Sequence, residues 1–274
     1  MKIPRRLLLG FLSLLPLVPL VQSCGSDSEP ASTSAQKPTA KAAPDVLHVY
    51  AAASLKDAIT ELNAVFERDH DAKIELNAGS SGTLSVQIEQ GEECDVFFSA
   101  GDKEMDKLDG LGLVDKSTRR TLLSNQLVIV VPKGEDAVKK PEDLKGAAVQ
   151  HLSLANVDSV PAGRYAKEWL QKADLWTAVE GKVLPGNDVR AALSQVEFGG
   201  AEAGIVYRTD ATLSEKVSIA YAVPLQEGPK ISYPIAAMAK RPNGKLAAEY
   251  VTFLGSDKAK EVFQRYGFLL PEAG

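Results

Sequence analysis

Four short stretches set small or hydroxyl-bearing residues where a helix is about to begin: Ala52-Ala53-Ser54-Leu55, Ser80-Ser81-Gly82-Thr83, Val160-Pro161-Ala162-Gly163 and Asn187-Asp188-Val189-Arg190. The first turn of a helix leaves backbone N–H groups unpaired at its partially positive end, and small side chains leave a ligand room to reach them. Ser54 and Ser81 add hydroxyl donors, while Gly79 and Gly82 permit close backbone approach. Taken singly, each loop is an ordinary cap, because Ser and Asp are common residues at that position. Taken together, they describe a trap for an anion.

Other chemistries lack their parts. Ser80 and Ser81 do not stand in the Gly-x-Ser-x-Gly setting of a hydrolase elbow, and none of the three His offers them a relay. No Gly-Lys-Ser/Thr phosphate loop is present, and His48, His70 and His151 have no spacing that makes a zinc site. Cys94, in the apolar run Cys-Asp-Val-Phe-Phe, reads as a small buried residue. Lys plus Arg number 31 against 36 Asp plus Glu, a net charge of −5, so no basic excess favours nucleic acid. These readings point to a binding protein that is not an enzyme and needs no cofactor.

The elements that must position the loops follow from the apolar pattern. A β-like run over 46–51 leads to a helix that Ser54 caps and that runs through Arg68, with apolar Leu55, Ala58, Ile59, Leu62, Val65 and Phe66. Strands are predicted at 73–77, 95–99, 126–132, 147–150, 203–207, 217–222 and 233–240. Helices are predicted before Gln90 and over 103–108, 141–146, 162–172 and 188–197, with two more closing the chain. Such alternation implies an α/β protein with parallel-rich sheets flanked by helices and ligands at the carboxyl ends of strands. A discontinuous first domain over 46–130 and 222–274 and a second over 131–221 would leave a cleft between them.

Residues 1–23 read as a secretory signal: basic Lys2, Arg5 and Arg6, then an apolar run broken by Pro16 and Pro19. Val21-Gln22-Ser23-Cys24 resembles a bacterial lipoprotein box, in which Cys24 becomes the lipidated N-terminus. Cleavage there would take the net charge from −5 to −8. The rest of 24–45 is Ser, Ala, Thr, Pro, Lys and Gln with almost no bulky apolar residue, a flexible tether behind the lipid anchor.

Five motifs, in order, carry a resemblance that spans about 46 to 270. They are Val49-Tyr50-Ala51-Ala52-Ala53-Ser54-Leu55, Gly79-Ser80-Ser81-Gly82-Thr83-Leu84, Val160-Pro161-Ala162-Gly163-Arg164-Tyr165-Ala166-Lys167-Glu168, Asp188-Val189-Arg190 and Gly204-Ile205-Val206-Tyr207. With the closing Arg265-Tyr266-Gly267-Phe268, they resemble the molybdate-binding protein of bacterial molybdate ABC transporters. The resemblance implies a two-domain, type II periplasmic-binding-protein-like fold. It further implies an extracytoplasmic, monomeric receptor that captures molybdate and tungstate and hands them to a membrane permease. The implied ligand contacts are Ser54 and Ser81 through hydroxyl and backbone N–H, Ala162 and Val189 through backbone N–H, and Tyr207 through its phenol. Arg164 and Arg190 fall just inside helices, facing solvent or an opposing carboxylate. The loop Leu154-Ala155-Asn156-Val157-Asp158-Ser159 departs from the family, where a Gly-Asp-Pro run is frequent. A receptor for another oxyanion or a small organic anion is the alternative.

Overall fold

Ten strands fall into two five-stranded sheets, described by a computed structural model for residues 45–271. The expected signal segment, Cys24 and the tether lie outside the described residues, apart from Asp45, which opens the first strand. The strands are β1 (Asp45–Ala52), β2 (Ala72–Gly79), β3 (Val96–Phe98), β4 (Arg120–Leu123), β5 (Leu127–Pro132), β6 (Leu152–Ala155), β7 (Val183–Gly186), β8 (Ala203–Tyr207), β9 (Val217–Ala222) and β10 (Tyr233–Ala237). The first sheet has the order β2-β1-β3-β10-β4 and the second β7-β6-β8-β5-β9.

The two sheets share one plan. In the first, β2, β1 and β3 run parallel and β10 runs against both β3 and β4. In the second, β7, β6 and β8 run parallel and β5 runs against both β8 and β9. The reversed strand in each case is the one that follows a crossing between sheets, so the chain enters that sheet from the opposite end. The sheets are therefore mixed, with a three-stranded parallel core.

The crossing lies earlier than the sequence reading placed it. A boundary after residue 130 falls inside β5, yet all of β5 pairs within the second sheet, so the chain crosses at 124–126. The return follows β9, before β10. The apolar run Leu-Val-Ile-Val-Val of β5 is buried throughout, the pattern of a strand covered on both faces. Pro234, which cannot donate to a ladder, sits at the register shift of β10 against β4.

Helices cover both sheets: α1 (Lys56–Asp69), α2 (Ser81–Glu89), α3 (Asp102–Gly110), α4 (Pro161–Lys172), the single turn α5 (Trp176–Val179), α6 (Val189–Glu197), α7 (Arg208–Thr212), α8 (Gly244–Leu254) and α9 (Asp257–Arg265). In α6 the buried residues are Val189, Ala192, Leu193 and Val196, the spacing of one helical face. Two sequence expectations fail at short strands. Residues 147–150 form no strand; the strand is β6, and β7 has no counterpart among the predicted strands because its Val-Leu-Pro-Gly carries two breakers. The Arg265-Tyr266-Gly267-Phe268 motif is structural: Arg265 and Tyr266 bond Glu61 of α1, and Gly267 takes the left-handed conformation (φ 85°) that ends α9. No helix among the described residues is long and apolar enough to cross a membrane.

Candidate functional site

The ends of five strands meet at one cavity. β1 leads to Ser54, β2 to Ser81, β6 through its loop to Ala162, β7 to Val189, and β8 ends on Tyr207. All five predicted contact residues line the same cleft, with Ala52, Ala53, Gly79, Ser80, Ala100, Val160, Pro161 and Asp188 around them. The space left among them is small, about 10 Å³. Pockets for organic ligands occupy roughly 300–1,000 Å³, so this one suits a small ion.

Backbone donors enter from three helices. Ser81 is the first residue of α2 and Val189 the first of α6, while Ala162 follows Pro161 at the head of α4. Pro161 has no N–H, so Ala162 supplies the leading donor of its helix. None of these three helices carries an acidic residue in its first turn, whereas α1, α3 and α9 do. Asp188 caps α6, and its carboxylate is turned back to accept from Ala191 N–H at 2.9 Å. No Lys, Arg or His lines the cavity.

The hydroxyl groups are held by specific partners, one of them against expectation. Ser54 does not cap a helix: it lies in a 3₁₀ turn, Ala53–Leu55, and its Oγ stands 3.0 Å from Tyr233 Oη. The cap of α2 is Ser80, which accepts from Thr83 N–H. Ser81 Oγ accepts from Ala100 N–H at 3.0 Å. Tyr207 is buried, and its Oη has no hydrogen-bond partner. Burial pushes the Tyr207 phenol well above its ordinary range, so it holds its proton and is available as a donor. Tyr233 is raised for the same reason.

The two lobes touch around this cavity. Ser80 Oγ donates to Ser159 O at 3.2 Å, and a Cβ placed on Gly82 would come within 1.9 Å of that same carbonyl oxygen. Gly82 is thus required for lobe contact, a different reason from the ligand approach expected of it. The loop that departs from the family is kept in shape by Asn156, whose Oδ1 accepts from Asp158 N–H (2.9 Å) and Ser159 N–H (3.2 Å). Both arginines find opposing carboxylates. Arg164 pairs with Glu104 of α3 at 2.6 Å, and Arg190 pairs with Asp57 of α1 at 2.6 Å and with the buried Asp210. Burial holds the Asp210 carboxyl up, at about 6, against the pull of Arg190.

Residues 47–269 match the family of bacterial extracellular solute-binding proteins. The chain belongs to that family. Its relatives include YvgL of Bacillus subtilis, assigned as an ABC transporter substrate-binding lipoprotein and 39% identical over 94% of this chain and 96% of YvgL. The molybdate-binding protein ModA of Escherichia coli is 37% identical over 81% of this chain and 88% of its own length. Among solved structures, the periplasmic molybdate-binding protein of Azotobacter vinelandii superposes with a TM-score of 0.74 at 23% identity, covering 82% of this chain and all of that one. That likeness is one of fold, and the two mixed sheets with a cleft between them give this solute-binding protein a two-domain, type II architecture.

Sequence reasoning missed Asn125 and Tyr233. Asn125 Nδ2 lies 3.0 Å from both Thr209 Oγ1 and Tyr233 Oη, directly behind the Ser54 hydroxyl. No local motif marks either residue, and they are 108 positions apart. Cys94 is buried and free, and among the described residues no cluster of His, Cys, Asp or Glu could hold a metal ion.

Proposed function

We propose that this protein captures molybdate and tungstate outside the cytoplasm and delivers them to the permease of an ABC transporter, acting as a monomer without catalysis or cofactor. The observation that carries this reading is a small cavity lined by N–H and O–H donors from both lobes, with no cation. ModA of Escherichia coli, a relative at 37% identity, is by name a molybdate-binding protein. A deprotonated tetrahedral dianion has only acceptors to offer, and a surrounding set of N–H and O–H groups matches it. Hydrogenphosphate brings a proton that needs an acceptor, and the carboxylate at the rim, Asp188, is already engaged by its own helix. Sulfate is smaller, so fewer donors reach it in a rigid site. Each charge-assisted hydrogen bond is worth roughly 1.5–3 kcal/mol, so losing one or two separates anions by about a hundredfold.

Calorimetric titration with molybdate, tungstate, sulfate and phosphate tests the reading. Tight binding of the first two alone is expected; silence, or a preference for sulfate, would refute it. Membrane attachment through lipid on Cys24 belongs to the same proposal and is supported by the lipoprotein-box sequence and the lipoprotein relative YvgL. Cys24→Ser should release the protein from the membrane fraction, and a variant still retained there would remove the anchor from the account.

A further inference from the structure

The Ser54 hydroxyl is useful to a dianion only if its hydrogen points at the ligand, and the residues behind it decide this. Gln126 N–H donates to the Asn125 side chain at 2.9 Å, and a backbone N–H has nothing to accept with, so the atom it meets is the amide oxygen, Oδ1. The amide orientation is therefore fixed. Nδ2 must face Tyr233 Oη and Thr209 Oγ1, both at 3.0 Å, and it donates to both. Nδ2 cannot accept, which leaves the Tyr233 hydrogen one recipient, Ser54 Oγ at 3.0 Å. Ser54 Oγ then accepts from Tyr233, and its own hydrogen is free to turn into the cavity that Ser54 lines.

We infer that Asn125 and Tyr233 are positioning residues that set the Ser54 hydroxyl as a donor and thereby make the site selective for unprotonated oxyanions. This rests on the oxyanion reading proposed above and names the groups that enforce it. Solvent cannot scramble the order, because Ser54, Asn125, Thr209 and Tyr233 are all buried. Tyr233 keeps its proton, since burial raises its phenol. The other contact serine obeys the same rule by a shorter route: Ser81 Oγ accepts from Ala100 N–H, which frees the Ser81 hydrogen. Asn125 also sits at the crossing between sheets, bonding Tyr233 of β10 and Thr209 of α7, so the chain of donors spans both lobes.

A double-mutant cycle on the purified protein tests this. Ser54→Ala should weaken molybdate about 10- to 100-fold, the loss of one charge-assisted hydrogen bond. Tyr233→Phe should weaken it about 10-fold when Ser54 is present and by at most about 2-fold in the Ser54→Ala background, because its effect runs through Ser54. Asn125→Asp puts an acceptor where Nδ2 stood, draws the Tyr233 hydrogen to itself and turns the Ser54 lone pair toward the ligand. At mildly alkaline pH, where phosphate and sulfate carry similar charge, that variant should shift the phosphate-to-sulfate affinity ratio toward phosphate by about 10-fold, which added negative charge alone would not do. Equal cost of Tyr233→Phe in both backgrounds, with an unmoved anion ratio, overturns the inference while leaving molybdate binding intact. A wild-type protein silent toward every anion overturns both readings.

Discussion

Tyr207 shows at the scale of a single residue how a buried group is kept for a ligand. Its hydroxyl belongs to the cavity lining and bonds no other protein group. Tyr207→Phe removes the donor and keeps the ring. We therefore expect the ligand-free melting temperature to hold while molybdate affinity falls about 10- to 100-fold, one charge-assisted bond. Titration and thermal unfolding of the same variant check it, and an unchanged affinity would remove Tyr207 from the site. Ser54 and Ser81 differ from Tyr207, because each already accepts a hydrogen bond that orients it.

Among the elements, the helices that open on the cavity are the informative ones. α2, α4 and α6 lack the first-turn carboxylates that α1, α3 and α9 carry, so their positive ends remain available to an outside anion. In α2 this availability depends on Gly82. Ala would ordinarily favour a helix over Gly by about 1 kcal/mol. Here its Cβ would meet Ser159 O of the other lobe at 1.9 Å, and a backbone atom cannot swing aside. Gly82→Ala should leave ligand-free stability unchanged or slightly higher, yet hold the lobes apart, with a larger radius of gyration in small-angle scattering and at least about 10-fold weaker binding. A variant that matches the wild type in both scattering and affinity would contradict this reading of Gly82.

For the molecule as a whole, two ion pairs close the cleft on its flanks, and their burial ranks them. Glu104 is 5% exposed and pairs with Arg164, so removing the arginine strands a buried carboxylate. The Asp57 side chain is 44% exposed, and an ion pair of that kind contributes at most about 1 kcal/mol. Arg164→Ala should speed ligand release by about 10-fold or more, while Asp57→Ala changes it by less than about 5-fold. Stopped-flow release measurements distinguish them, and equal effects would show that burial does not rank the two contacts.

Much of this was legible in order of residues alone. Four of the five cavity residues stand in turns of small or hydroxyl residues before helices, a local pattern, whereas their role as contacts, and Tyr207 altogether, came from motifs that a known family shares. Long apolar strands such as β5 and the periodic face of α6 are equally local, because hydrophobic spacing reports burial directly. The short β6 and β7 were not legible, since four residues carry too little periodicity and Pro185-Gly186 signals a break. Nor was the assignment of β5 to the second sheet, because a fully apolar strand pairs equally well in either sheet and only the neighbours it meets decide. The same holds for the donors behind Ser54. A hydroxyl's direction depends on which atoms stand 3.0 Å away, and Asn125 and Tyr233 reach that distance across 108 residues of chain only once both sheets have formed.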